Sequence, residues 1–456
     1  MRFWEVTMDR SGREGAAQTS DVRQVLGASF IGTAIEWYDF FIYGTAATLV
    51  FGQLFFSPEF SPLAATLSSV ATFAVGFIAR PFGGIIFGHF GDRLGRKAML
   101  VLTLNMMGIA TFLIGLMPTF ESIGLLAPVL LVLLRVVQGL GVGGEWGGAA
   151  LMAVEYAPED KRGYYGSWPQ MGVPAGLLLA TGVFGAVSFL PNEQFLAWGW
   201  RIPFLLSIIL VGVGLYIRLR LLETPAFREV EESHTEAQMP IMDVLRNYPK
   251  NVLLAVGVRV ASDGGFYVFT VFILDYATRT LGLPRPTILL GVMLASAIEL
   301  FTLPAAGVIS DRLGRRPVFL AGTVLLLLIA YPYFLMIGSG STVLVVLASV
   351  IALSIAHASV YGPMSAYFAE LFGTRVRYSG VSLGYQLASI IGGGAGPLIS
   401  IYLVGATGGS YWPVIAWMVL LCIITLVSVL IAAETFQGGE FAAERSGERR
   451  TVAEQG

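Results

Sequence analysis

The chain is poor in the residue types that carry redox, metal and covalent chemistry. Of its 456 residues one is cysteine, Cys422, so no disulfide can close within it. Its three histidines are scattered without the spacing of a ligand set, so neither a metal nor any other cofactor is expected. No GxxxxGK[ST] loop occurs, which argues against ATP-driven work. No nucleophile and base stand in a recognisable constellation, so the chain does not read as an enzyme. Charged residues make up only 13% of the sequence, and the formal net charge of −2 points to no nucleic-acid partner. The opening stretch, 1–23, is polar and basic and lacks an apolar core followed by a cleavage site, so it reads as a tail and not as a signal peptide.

Apolar residues fill the space these absences leave. They form 55% of the chain and raise its mean hydropathy to +0.73, outside the range of a soluble domain. A bilayer-spanning helix needs about 20 apolar residues. Twelve such runs begin near residues 24, 62, 98, 124, 163, 200, 251, 286, 317, 342, 378 and 411. The expected fold is an all-α membrane protein of twelve transmembrane helices in two pseudo-symmetric six-helix halves. Basic residues set the orientation. With both termini inside, Arg93, Arg96, Lys97, Lys161, Arg162, Arg312, Arg315, Arg316, Arg375 and Arg377 all face the cytosol, and only Arg201, Arg279 and Arg285 fall in outer loops.

The halves repeat. "GHFGDRLGRK" at 88–97 returns as "GVISDRLGRR" at 307–316, close to half the chain further on, each closing the second helix of its set. Glu155 and Arg162 return at nearly the same offset as Glu370 and Arg377. Parallel halves of this kind place a substrate site between them near the membrane midplane. The expected division is a cytosolic tail (1–23), a first half (24–222), a cytosolic linker (223–250) bearing Pro225 and Pro240, a second half (251–434) and a C-terminal cytosolic tail (435–456) without heptads.

Each decamer joins helix-breaking glycines to a carboxylate and several cations. A positive-inside anchor would need no aspartate and no fixed spacing. The alternative is a gate latch, in which Asp92 and Asp311 accept hydrogen bonds from a neighbouring helix N-terminus and an arginine. The gating set is then Gly88, Asp92, Arg93 and Arg96, their counterparts Asp311, Arg312 and Arg315, and the flanking Glu155, Arg162, Glu370 and Arg377. In "RVVQGLGVGGEW" (135–146), Gln138 and Glu145 share a helical face while Gly139, Gly143 and Gly147 make a small-residue stripe. Arg135 lies roughly 15 Å along its helix, where a guanidinium without a partner is costly.

The paired decamers and the fourth-helix motif resemble the major facilitator superfamily. Four stretches read together, "IEWYDFFIYG", "ARPFGGIIFGHFGDRLGRK", "GGEWGG" and "ETPAF", narrow the resemblance to its bacterial metabolite:proton symporter family, over nearly the whole chain. The opening helix is most similar to the shikimate-transporter-like branch. The resemblance implies a monomeric carrier in the bacterial inner membrane that moves a small molecule with protons. Other branches carry α-ketoglutarate, citrate, or zwitterionic osmolytes such as proline and betaine.

Charge counting gives an independent argument. Arg80, Arg135 and Arg259 fall within spans against Glu36, Asp39, Glu145, Asp263 and Glu299. Three cations cannot neutralise five carboxylates, so some of the five are expected to hold a proton near neutral pH. Others hydrogen-bond between helices or sit in a wet cavity. Asp39 is the favoured proton site, with Glu36 one turn back on its face. In related proton-coupled members a first-helix aspartate faces the fourth-helix arginine, so the resemblance implies Asp39 facing Arg135, with Glu145 a further proton-coupling candidate.

Arg259 and Asp263 stand at i, i+4, where an ion pair is the plain reading and an anionic substrate on Arg259 the functional one. Gln138, Asp263, Glu299, Trp37, Tyr43, Tyr267 and Tyr361 complete the candidate substrate site, with Trp168 another possible lining ring and His357 a buried polar residue without an assigned role. The expected function is proton-coupled import of a small organic acid. The alternatives are an osmolyte symporter, a proton-coupled exporter, for which "QMGVPAGLLLA" matches the antiporter pattern only partly, and a membrane sensor that binds without transport.

Overall fold

A computed structural model describes residues 27, 29–94, 96–143, 150–151, 153–154, 157–221, 246, 248–372 and 377–436, without the side chains of 88–94, 96–100, 217–221 and 377–379. Glu145, Glu155, the tail 1–23, most of the linker and most of the C-terminal tail lie outside the described residues, as do the side chains of Gly88, Asp92, Arg93, Arg96 and Arg377.

Hydrocarbon offers no hydrogen bonds to a backbone, so the apolar runs fold as helices that satisfy their own amides. In chain order they are α1 (29–54), α2 (Pro62–Leu94), α3 (Arg96–Leu116), α4 (Leu126–Val142), α5 (Arg162–Val187), α6 (Arg201–Leu221), α7 (Pro249–Thr280), α8 (Arg285–Leu313), α9 (Arg315–Gly338), α10 (Thr342–Leu371), α11 (Gly380–Ala406) and α12 (Trp412–Ile431). Their starts fall close to those read from the sequence. One boundary differs: α7 runs through Thr280, so Arg279 lies in the helix and not in a loop, and it pairs with Asp275 one turn back at 3.0 Å.

Leucine, isoleucine and phenylalanine cover the outward faces, as at Leu133, Phe301 and Leu430. Polar side chains turn inward. The repeat extends to backbone detail: a wide π-type stretch at Ala47–Phe51 in α1 returns at Val268–Phe272 in α7, the first helix of the second half. Such turns re-aim the side chains on either side of them.

The halves meet along two seams, α5 against α8 and α2 against α11. At the first, a Cβ on Gly163 would stand 2.5 Å from the Gly307 carbonyl oxygen, and one on Gly307 would stand 2.5 Å from that of Gly163. Only glycine permits that approach. The stripe on α4 has the same purpose within the first half: a Cβ on Gly139 would lie 2.3 Å from the Gly76 oxygen of α2.

Candidate functional site

Rings from both halves pack at the centre of the bundle. Phe40 of α1 and Phe73 and Phe77 of α2 have centroids 4.9–5.2 Å apart, and Tyr267 of α7 closes on Phe77 at 5.3 Å. Two guanidiniums lie on these rings. Arg135 sits 4.2 Å from the Phe40 centroid and 4.3 Å from that of Tyr43. Arg80 sits 4.3 Å from Phe40 and 4.4 Å from Phe77, with Trp37 at 5.3 Å. Gly76 makes room for this, because a Cβ there would meet Arg135 Nε at 2.5 Å.

Neither arginine pairs with a carboxylate among the described residues. Arg135 Nη1 donates to Gln138 Oε1 at 3.0 Å, while Arg135 Nη2 and Arg80 Nε and Nη2 are buried N–H groups without a partner. Ring faces supply roughly 2 kcal/mol or more to a desolvated cation. That is less than the several kcal/mol a buried ion gives up on leaving water. The orphaned donors therefore favour an anion between them.

Asp39 is buried in α1, and its Oδ1 is a buried oxygen without a hydrogen-bond partner. Gln138 Nε2 donates to Thr111 Oγ1 at 2.7 Å, and Thr111 also reaches the Met107 carbonyl oxygen at 2.8 Å. No hydrogen bond or ion pair joins Asp39 to Arg135 among the described residues; Gln138 bonds both Arg135 and Thr111. Glu36 is buried one turn from Asp39.

In the second half, Arg259 makes a fork to Asp263 at 3.1 and 2.7 Å, lies 3.2 Å over the Tyr385 ring and reaches Ser389 Oγ at 3.3 Å. Its fork is occupied within its own helix. Glu299 Oε1 contacts His357 Nδ1 at 2.7 Å. Tyr361 stacks on His357 at 5.1 Å, and its hydroxyl lies 3.3 Å from that of Tyr385. Tyr43 shares a 2.6 Å hydrogen bond with Thr72. Trp168 packs edge-on to Tyr164 near the start of α5.

The second decamer lies at one end of the bundle. Asp311 accepts hydrogen bonds from the backbone amides of Gly163 and Tyr164, at 2.7 and 2.8 Å, at the α5 N-terminus, and from Arg315 Nη1 at 2.7 Å. Arg315 also holds Glu370 at 3.2 Å. Gly314, at φ +98°, makes the tight turn between α8 and α9. Arg312 is exposed, and Arg162 reaches Glu159 at 4.0 Å. Residues after α12 join the cluster: Glu434 accepts from the Arg315 and Arg316 amides at 3.0 and 2.9 Å, and Thr435 Oγ1 donates to Glu370. An acidic residue just past the last apolar run was the only sequence signal for Glu434. Thr111 gave none.

At the opposite end Arg279 donates to Thr66 and to the Pro62 carbonyl oxygen, and Arg285 donates to Asn192 Oδ1 at 2.8 Å. Both arginines line a cavity of 370 Å³ with Thr48, Gln53 and Ser188. Each of these contacts joins the second half to the first.

Comparison with known proteins gives the same architecture. Residues 25–252 match the family model described as "Sugar (and other) transporter", and residues 255–453 match that of the major facilitator superfamily. The chain is 43% identical to the shikimate transporter of Escherichia coli (strain K12), over 92% of this chain and 97% of that one. It is 44% identical to the inner membrane metabolite transport protein YhjE of the same organism, over 90% and 94%. Among solved structures it resembles a D-xylose-proton symporter with a TM-score of 0.68 at 19% identity, over 91% of this chain and 99% of that one.

Proposed function

The chain belongs to the major facilitator superfamily, and from that membership we propose that it imports a small organic acid, shikimate or a related carboxylate, with protons by alternating access. It is a multi-pass membrane transporter and not an enzyme. The observation that carries the substrate class is the pair of buried guanidiniums, Arg80 and Arg135, on rings that suit a cyclic anion. A carboxylate placed between them would satisfy the orphaned N–H groups, and the ring of the acid would stack among Phe40, Phe77 and Tyr267. A quaternary ammonium is disfavoured, because the ring faces it would use already hold cations. Arg259 remains a second candidate anion ligand once Asp263 is protonated.

Proton coupling runs through Asp39, whose buried Oδ1 has no hydrogen-bond partner. The decamer end faces the cytosol, with both termini inside a bacterial inner membrane, and the carrier acts as a monomer without a cofactor.

The test is uptake by vesicles reconstituted with the purified chain. Labelled shikimate should accumulate when the interior is alkaline, and adding it should alkalinise the outer medium. Acidification would indicate antiport. Failure of shikimate, quinate and dicarboxylates alike to bind in a thermal-shift screen and to enter would overturn the substrate class.

A further inference from the structure

Glu299 of α8 and His357 of α10 form a pair distinct from the Asp39 site. Their side chains are 0% and 3% exposed. Two lone pairs cannot face each other at the 2.7 Å that separates Nδ1 from Oε1, so one proton lies in the contact. With that proton alone the pair bears a net charge of −1, and Glu299 Oε2 is buried without a partner.

Among the described residues no cation contacts the pair, since the unpaired guanidiniums of Arg80 and Arg135 lie on the Phe40, Phe73 and Phe77 rings of the first half. Arg259 on α7 is already paired with Asp263. Tyr361 on α10 and Tyr385 on α11 present only hydroxyls. From Gly166 to Val187 α5 carries no ionisable side chain, α9 carries none between Arg316 and Tyr331, and α8 carries none between Arg285 and Asp311 other than Glu299. A second proton, on Glu299 Oε2 or His357 Nε2, makes the pair neutral.

The placement is mechanical as well. Ser354 Oγ ties α10 to the Ala295 carbonyl oxygen of α8 at 2.7 Å, one turn before the pair and inside a wide helical stretch, Val350–His357, that ends on His357. The His357 ring lies 4.9 Å from Phe266, which meets Phe41 of α1 at 5.7 Å.

We propose that Glu299 and His357 form a second proton-binding site, in the C-terminal half and separate from Asp39, which takes up one proton and releases it in each transport cycle. The proposal rests on the proton-coupled reading above. It is tested in two ways whose failures differ. In infrared difference spectra of the purified full chain, acid minus alkaline, a carboxylic-acid C=O band should be lost in Glu299→Gln and shifted in His357→Asn, which keeps a donor near Nδ1. A Glu299→Gln spectrum that superposes on wild type overturns the proposal whether or not shikimate is the substrate.

In vesicles with labelled shikimate, accumulation by Glu299→Gln across a one-unit pH gradient should fall about tenfold relative to wild type for the proton lost. Accumulation equal to wild type would also overturn it. Wild-type vesicles that move no shikimate would sink the substrate reading alone, and the infrared band would still decide this one.

Discussion

Asp311→Asn isolates the energy of the latch. Of the three hydrogen bonds that Asp311 accepts, the one from Arg315 stays within the second half, whereas those from the Gly163 and Tyr164 amides cross to the first. Only the crossing bonds change when the halves separate at this end. A hydrogen bond to a charged group contributes about 1.5–3 kcal/mol and a neutral one about 0.5–1.5. An asparagine oxygen also lacks the charge that favours a helix N-terminus. The substitution should therefore weaken closure by roughly 2–3 kcal/mol, which is about 30- to 150-fold in the opening equilibrium.

Ser365 on α10 reports the opening, because it is buried against Gly166 of α5, whose added Cβ would lie 3.3 Å from that of Ser365. Thiol labelling of Ser365→Cys in detergent should accelerate by about that factor in the Asp311→Asn background. The native Cys422 is 2% exposed and contributes little background. A rate within about threefold of the parent would be under 0.7 kcal/mol and would refute the latch.

Other substitutions test the remaining parts of the design. Gly163→Ala places a Cβ 2.5 Å from the Gly307 oxygen and 2.6 Å from Arg315 Nη1, so it should also speed Ser365→Cys labelling; an unchanged rate would mean that the seam yields elsewhere. Asp39→Asn should keep exchange of labelled for unlabelled shikimate and lose uphill accumulation, and persistence of uphill accumulation would remove Asp39 as the proton site. Arg80→Lys should raise the KM for shikimate about tenfold, since a point charge replaces a planar fork seated on rings. Arg259→Lys should change that KM by less than about threefold, because its fork is held by Asp263, and a larger rise would put Arg259 in the substrate site.

The twelve helices were legible because a bilayer imposes one period and one length, and charges between apolar runs mark the turns. The repeat of the decamer located both halves and the chemistry of Asp311. Side-chain partnerships were harder to read. The spacing of Arg259 and Asp263 already contained their contact, since i, i+4 is local. Arg80 and Arg135 come from different helices far apart in sequence and meet on Phe40 through packing that no spacing encodes. The same holds for Glu299 and His357, on α8 and α10, and for Thr111, an ordinary helix threonine until Gln138 is folded against it. The end of α7 was misplaced because Arg279 looks like a loop cation, whereas its pairing with Asp275 and its contact with Thr66 let the helix continue.

The two ends of the bundle are closed by contacts of unequal cost. At the decamer end the Asp311 and Arg315 side chains are 6% and 0% exposed, so their interactions act in a low dielectric and salt reaches them poorly. At the opposite end Arg279 is 30% exposed and the Arg285 bond to Asn192 lies at the surface. Exposed charged contacts contribute about 0.2–1 kcal/mol, and water replaces them readily. The opposite end therefore parts with less free energy than the decamer end, and rising ionic strength widens the difference. With the termini inside, as proposed, that end faces outward. If the chain imports, as proposed, this asymmetry favours opening on the outer side, from which such a carrier loads, while the buried latch holds the cytosolic end.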